Sequence, residues 1–157
     1  MKGIRLLAVR AVPAPRSRFA PRAPYMTEMS EEARAVANVL LAHHREVCRP
    51  VRIATEKISD DLVNDCTLTY GTVCERAHMQ DLTHIVGRFM GEIAEWCADN
   101  TWPPLNSLAV NAESWIPGGG YDGAGGICEQ QLWPQQVRAC IKFRKYPREV
   151  SQVRGRR

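Results

Sequence analysis

The six cysteines and four histidines of this chain are its first candidates for nucleophile, proton carrier or metal ligand, and their spacing favours none of these chemistries. Cys74 and His78 stand at i and i+4, so a helix puts them on one face, with Cys66 as a conceivable third ligand. Zinc sites draw on Cys and His spacings that this set does not match; a core cysteine beside a turn histidine accounts for it better. His43 and His44 are adjacent, fall on different faces of a helix, and are expected to send at most one ring inward. Gly118-Gly119-Gly120 and Gly125-Gly126 can offer backbone N–H groups to a phosphate, but no Gly-Lys-Ser/Thr follows and a turn explains them. No nucleophile and base can be named as a pair. The chain is therefore read as non-enzymatic, with no catalytic residue, no cofactor and no metal.

The elements that carry these residues are written in apolar periodicity. Ser30 is a good N-cap with Glu31 and Glu32 behind it, and Ala33, Val36, Ala37, Leu40, Leu41, His44 and Val47 form one helical stripe until Pro50. Thr55 is expected to cap a shorter helix through Glu56, Ile58 and Leu62 to about Asn64. Thr69 caps a third helix whose Val73, Cys74 and Ala77 share a face, and His78, Met79, Gln80 and Asp81 break it. Leu82, Ile85, Val86, Phe89, Ile93, Trp96 and Cys97 then recur at three- and four-residue intervals and are expected to face a core built with Val36, Leu40 and Val73. That helix stops at Asn100-Thr101-Trp102-Pro103-Pro104. Leu105 to Asn111 reads as a strand, and Trp115 to Gly126 as a glycine-rich wing. Pro134 fits the start of a last helix in which Val137, Cys140, Ile141 and Arg144 follow at helical spacing until Pro147. Helix, turn, helix, extended segment and wing together describe a winged helix-turn-helix, in a mainly α protein with a small β wing (α+β).

Residues 67 to 126 resemble the C-terminal winged-helix domain of the alkylguanine-DNA alkyltransferases and alkyltransferase-like proteins. Tyr70-Gly71 matches the family's Tyr-Gly pair at the start of the first helix, and Val86-Gly87 its Val-Gly pair in the second. Gly119-Gly120-Tyr121-Asp122-Gly123 matches its Gly-x-Tyr-x-Gly wing. The resemblance implies DNA as partner: the family's phosphate-contacting tyrosine falls on Tyr70, and its finger arginine, which fills the space left by a flipped nucleotide, falls on His84. Arg88, one turn on, is the only strong cation of that helix, and Tyr121 would border a base pocket. The plainer reading makes Tyr70 and Tyr121 partly buried aromatics that close the domain and His84 an exposed polar residue. The family's Pro-Cys-His-Arg nucleophile motif is missing, because Leu105 to Asn111 stands in its place with no Cys, His or Arg. The second helix also runs about two turns longer, through Glu92 and Trp96. A scaffold is implied without the alkyl-transfer activity.

Charge divides the chain into three. Residues 1 to 25 hold six Lys or Arg and no acid, residues 26 to 137 hold seven basic and sixteen acidic residues, and residues 138 to 157 hold eight basic and one acidic. The acidic middle opposes a phosphate backbone, whereas the basic ends can each release counterions from a nucleic acid. The expected organisation is a disordered basic segment at 1–28, a single winged-helix-type domain at 29–147 and a basic tail at 148–157. The first segment, with Pro13, Pro15, Pro21 and Pro24, is read as a basic arm, a transit peptide, a plain disordered tail, or sequence upstream of a true start at Met26 or Met29. No apolar run approaches the roughly 20 residues that span a bilayer. Cys48, Cys66, Cys74, Cys97, Cys128 and Cys140 lack paired close spacing and read as reduced thiols of a cytoplasmic protein. The leading expectation is a non-catalytic DNA-binding or DNA-associated module with candidate contacts Tyr70, Gly71, His84, Arg88 and Tyr121. The alternative is a protein-interaction or regulatory module that keeps the fold without binding DNA.

Overall fold

A computed structural model of the chain describes residues 28–51, 57–118 and 132–151. They form five α-helices and a small two-stranded parallel sheet, an α+β arrangement that is mostly helical.

Helix α1 (Glu31–His43) starts as its sequence requires: the Ser30 hydroxyl accepts the Ala33 N–H at 3.2 Å, and Glu31 and Glu32 sit in the first turn, where the helix dipole favours them. Ala33, Val36, Ala37, Leu40 and Leu41 are buried along it. The helix then widens into a π turn (His44–Cys48), closed by the Arg49 N–H on the His44 carbonyl at 2.8 Å. The extra residue in that turn rotates the buried face. Val47, expected in the stripe, is 36% exposed, and Cys48 takes the core position instead.

Helix α2 (Asp60–Asp65) is capped by Ser59, which accepts the Leu62 N–H at 3.2 Å. Thr55 and Glu56, expected to start it, lie outside the described residues, and Ile58 is buried ahead of the helix rather than within it. Strand β1 (Leu68–Thr69) leads into α3 (Tyr70–Arg76), where the Thr69 hydroxyl accepts the Thr72 N–H at 3.2 Å. Val73 and Cys74 are fully buried and Ala77 packs at the edge of the core. His78, at φ +58°, ends α3 in the left-handed region; its N–H reaches the Glu75 carbonyl and that of Met79 reaches Cys74. This paired closure satisfies two orphan carbonyls, and histidine is among the non-glycine residues that tolerate it.

The long periodic run does not form one helix. Gln80–Ile85 winds as a 3₁₀ helix, and α4 (Val86–Asp99) begins only at Val86. Three residues per turn before the junction and 3.6 after it break the stripe. Ile85, expected in the core, is 38% exposed and Leu82 is half-buried, whereas Val86, Phe89, Ile93, Trp96 and Cys97 are buried as expected. The stop at Asn100 is as read. The Thr101 N–H bonds to Ala98 and that of Trp102 to Cys97, with Thr101 left-handed at φ +57°.

The segment read as a strand from Leu105 to Asn111 is mostly something else. Leu105–Leu108 is a 3₁₀ turn, and only Ala109–Val110 (β2) pairs, in parallel with β1 in the register Leu68 to Ala109 and Thr69 to Val110. Every residue from Leu105 to Val110 is buried, because α1, α4 and α5 all pack on this segment. A centre covered on all sides needs no extended alternation. Helix α5 (Trp133–Lys142) has Pro134 in its first turn and buries Val137, Cys140 and Ile141, and the Trp133 indole N–H donates to the Ser107 carbonyl at 2.7 Å. It stops at Lys142, short of Arg144 and Pro147, and an extended segment follows. Tyr146 on that segment stacks edge-on against Phe143, Trp102 and His44 and donates its hydroxyl to the Pro103 carbonyl at 2.6 Å. Val150, in the stretch read as tail, donates its N–H to Asn38 at 2.7 Å.

Candidate functional site

The face expected to meet DNA is built from α3, the turn at His78, and the 3₁₀–α4 junction. Tyr70 opens α3, directly after the Thr69 cap. Its ring is half-buried against the core, and burial pushes the phenol up from its ordinary range, against the Gly118 N–H that its hydroxyl accepts at 3.1 Å. Gly118 also sits close enough that an added Cβ would lie 3.9 Å from the ring and the hydroxyl. Gly71 and Gly87 are exposed and have open space where a side chain would stand, so packing requires glycine at neither position.

His84 is exposed at the end of the 3₁₀ turn, and Arg88 lies in the first turn of α4 with its side chain 77% exposed. Arg88 Nε stands 4.0 Å from Glu92, a separation too long to hold a solvated guanidinium in place. Glu92 itself is committed elsewhere. Its two oxygens accept the Ser30 N–H at 2.7 Å and the Ser30 hydroxyl at 3.0 Å, which fastens α4 to the start of α1. Asp81 and Glu95 are exposed. Tyr70 therefore bonds to the head of the glycine run, while His84 and Arg88 are both exposed, one before and one after the junction into α4. Tyr121 and the rest of the segment read as a wing, Gly119 to Gly126, lie outside the described residues.

The thiols have been placed for packing. Cys48, Cys66, Cys74, Cys97 and Cys140 are free and buried; Cys128 lies outside the described residues. Burial pushes the Cys97 thiol up to about 12 and the Cys140 thiol up to about 11, and the Cys48 thiol is raised by its contact with Cys66 and by burial. A thiol held protonated at neutral pH is a poor nucleophile. Cys74 is buried beneath α3 while His78 is exposed on its left-handed turn. Among the described residues no three His, Cys, Asp or Glu side chains gather as a metal site.

The expectation that at most one of His43 and His44 turns inward is wrong. Both are buried: Nε2 of His43 donates to the Cys66 carbonyl at 2.8 Å, and Nε2 of His44 to the Cys140 carbonyl at 2.7 Å. Adjacent side chains can both be buried because α1 is enclosed on two flanks, by the turn after α2 and by α5. Burial lowers both imidazoles, aided by Arg76 for His43 and by Arg144 and Arg49 for His44. Arg45, Arg49, Arg144 and Arg148 also converge at one cavity. Sequence reading missed this because two helical arginines and two in a later extended segment share no spacing. The only available signal was the basic excess after residue 138.

Comparison of the chain with protein-family models, with curated proteins and with solved structures finds no match.

Proposed function

We propose that the protein is a non-catalytic, DNA-associated module of winged-helix type, similar to alkyltransferase-like proteins in scaffold and without alkyl-transfer activity. The observation that carries this reading is the division of labour along α4. Glu92 is held by Ser30, so its charge is directed into the protein, and His84 and Arg88 are exposed at the start of the helical unit, with Asp81 the one exposed acid there. Recognition helices contact the duplex with their N-terminal residues. Glu95 lies further along, where a docked helix leaves the groove. Tyr70 contributes from the N-terminus of α3, with its hydroxyl already oriented by Gly118. On this reading the protein works in a reducing, cytoplasmic setting, which its free buried thiols suit.

Titration of a duplex at two salt concentrations tests it. Tyr70→Phe, His84→Ala and Arg88→Ala should each weaken binding in the protein trimmed of residues 1–25 and 152–157, and Arg88→Ala should reduce the salt slope by about one. Absence of binding by the trimmed protein at low salt, with the same substitutions silent in the full chain, would discard the DNA reading. The interaction module then takes its place, supported by exposed Ile85 beside His84 and by Trp115 and Ile116, which are 41% and 37% exposed.

A further inference from the structure

Arginines far apart in the chain meet at one cavity. The C-terminal end of the first helix brings Arg45 and Arg49, and the extended segment after α5 brings Arg144 and Arg148, to the walls of a space of about 410 Å³. That volume is within the range of small-ligand sites. Among the described residues no carboxylate lines it. The acids nearest in sequence look elsewhere: Glu46 lines a separate cavity with His43 and Arg76, and Glu149 is exposed outside the lining. The ion pairs Arg88–Glu92 and Arg138–Asp60 also lie away from it. Like charges gathered at one cavity repel, and a bound anion reverses the sign of that term.

Two of the four guanidinium groups are held in advance. Arg45 donates to the Arg148 carbonyl, and Arg144 donates to the Arg49 carbonyl at 2.7 Å and to the Val51 carbonyl at 3.4 Å. A guanidinium has five N–H donors, so each keeps others for a ligand. The rest of the wall is not polar in the same way. Leu41, Pro147 and the Tyr146 ring form it, and the Tyr146 hydroxyl is turned away to Pro103. His44 adds a ring whose Nε2–H is already committed to Cys140.

We propose that this cavity binds a phosphate monoester of a small organic molecule. The four arginines hold the phosphoryl oxygens, and Tyr146 and Pro147 pack on the organic part. Guanidinium forks match phosphoryl oxygens in paired hydrogen bonds, and a dianion answers four cations better than a carboxylate or a diester does. The apolar wall has no use for bare phosphate. Arg49, Arg144 and Arg148 are exposed at the cavity mouth, so the apolar wall rather than enclosure is what favours a monoester with an organic part over the singly charged diesters of a duplex backbone. The site is separate from the α3–α4 face and independent of the DNA reading.

Isothermal titration of the full chain near neutral pH with phenyl phosphate, inorganic phosphate and a short DNA duplex tests the proposal. Phenyl phosphate should saturate one site, and inorganic phosphate should bind about tenfold more weakly. Arg49→Gln and Arg148→Gln leave the Arg45 and Arg144 hydrogen bonds to backbone carbonyls intact. Each should weaken phenyl phosphate about tenfold with circular dichroism and melting temperature unchanged. Arg88→Gln should leave phenyl phosphate binding unaltered even where it weakens DNA. The proposal is overturned if phenyl phosphate shows no saturable binding at millimolar concentration, or if both variants bind it as wild type does. Equal affinity for inorganic phosphate removes the organic ligand. Binding of the duplex alone, weakened by Arg49→Gln and Arg148→Gln, assigns the cavity to nucleic acid instead.

Discussion

Replacing Thr101 by glycine should make the protein more stable, although it removes a side chain and adds backbone freedom. Thr101 sits at φ +57° immediately after α4, where its N–H and that of Trp102 close the helix on Ala98 and Cys97. For an L residue the left-handed region costs roughly 1–2 kcal/mol, and a β-branched residue is a poor occupant of it. Glycine relieves that cost but loses roughly 0.5–1 kcal/mol through the greater freedom of its unfolded chain. The Thr101 side chain is exposed, so little burial is forfeited. The balance is a gain of about 0.5–1 kcal/mol, or a rise of about 1–4 °C in melting temperature for a chain of this size. Thr101→Ala is the control: it keeps the left-handed penalty while removing the branch, and should change stability little. Urea unfolding should move the midpoint of Thr101→Gly upward with no change of slope. A midpoint at or below that of Thr101→Ala would refute the claim that Thr101 is strained there.

Phe89→Ala should cost about 3–5 kcal/mol, because Phe89 is buried in α4 at the centre of the core; a near-wild-type melting curve would show that the helix is oriented otherwise. His43 and His44 are lowered from 6.5 by burial, so the unfolded chain takes up their protons first as pH falls. Their contribution is fully present above that value and is lost as pH falls from it towards the folded values; His43→Gln and His44→Gln should each flatten the decline of melting temperature between about pH 7 and pH 5. With their thiols pushed up to about 12 and about 11, Cys97 and Cys140 should resist iodoacetamide in the native protein and react once it is unfolded, as read by peptide mass. Alkylguanine DNA should leave no adduct on the intact protein; stoichiometric alkylation of one cysteine would restore an enzymatic reading.

Much of the candidate site was legible where one residue answers another close by. The Thr69 cap placing Tyr70 at a helix start is of this kind, and so is the exposure of His84 and Arg88 opposite the buried stripe of α4. What Tyr70 touches was not legible, since Gly118 lies beyond two intervening helices. The commitment of Glu92 was not legible for the same reason, its partner Ser30 being at the start of α1.

By itself the sequence determined the helix starts at Ser30 and Thr69, the stop at Asn100 and the buried stripe Val86, Phe89, Ile93 and Trp96, because caps and periodicity act within a turn or two. Tertiary packing alone decided the π turn that exchanges Val47 for Cys48 and the 3₁₀ turn that turns Ile85 outward. Both are shifts of register that apolar spacing tolerates in either form and that only the neighbouring elements select. It also decided that Leu105 to Val110 is a covered centre rather than a strand, that β2 pairs in parallel with β1, and that both histidines are enclosed. The meeting of Arg45 and Arg49 with Arg144 and Arg148 belongs there too. No local pattern encodes a contact across a hundred residues; it exists only because α5 packs against the end of the first helix and carries its following segment to that place.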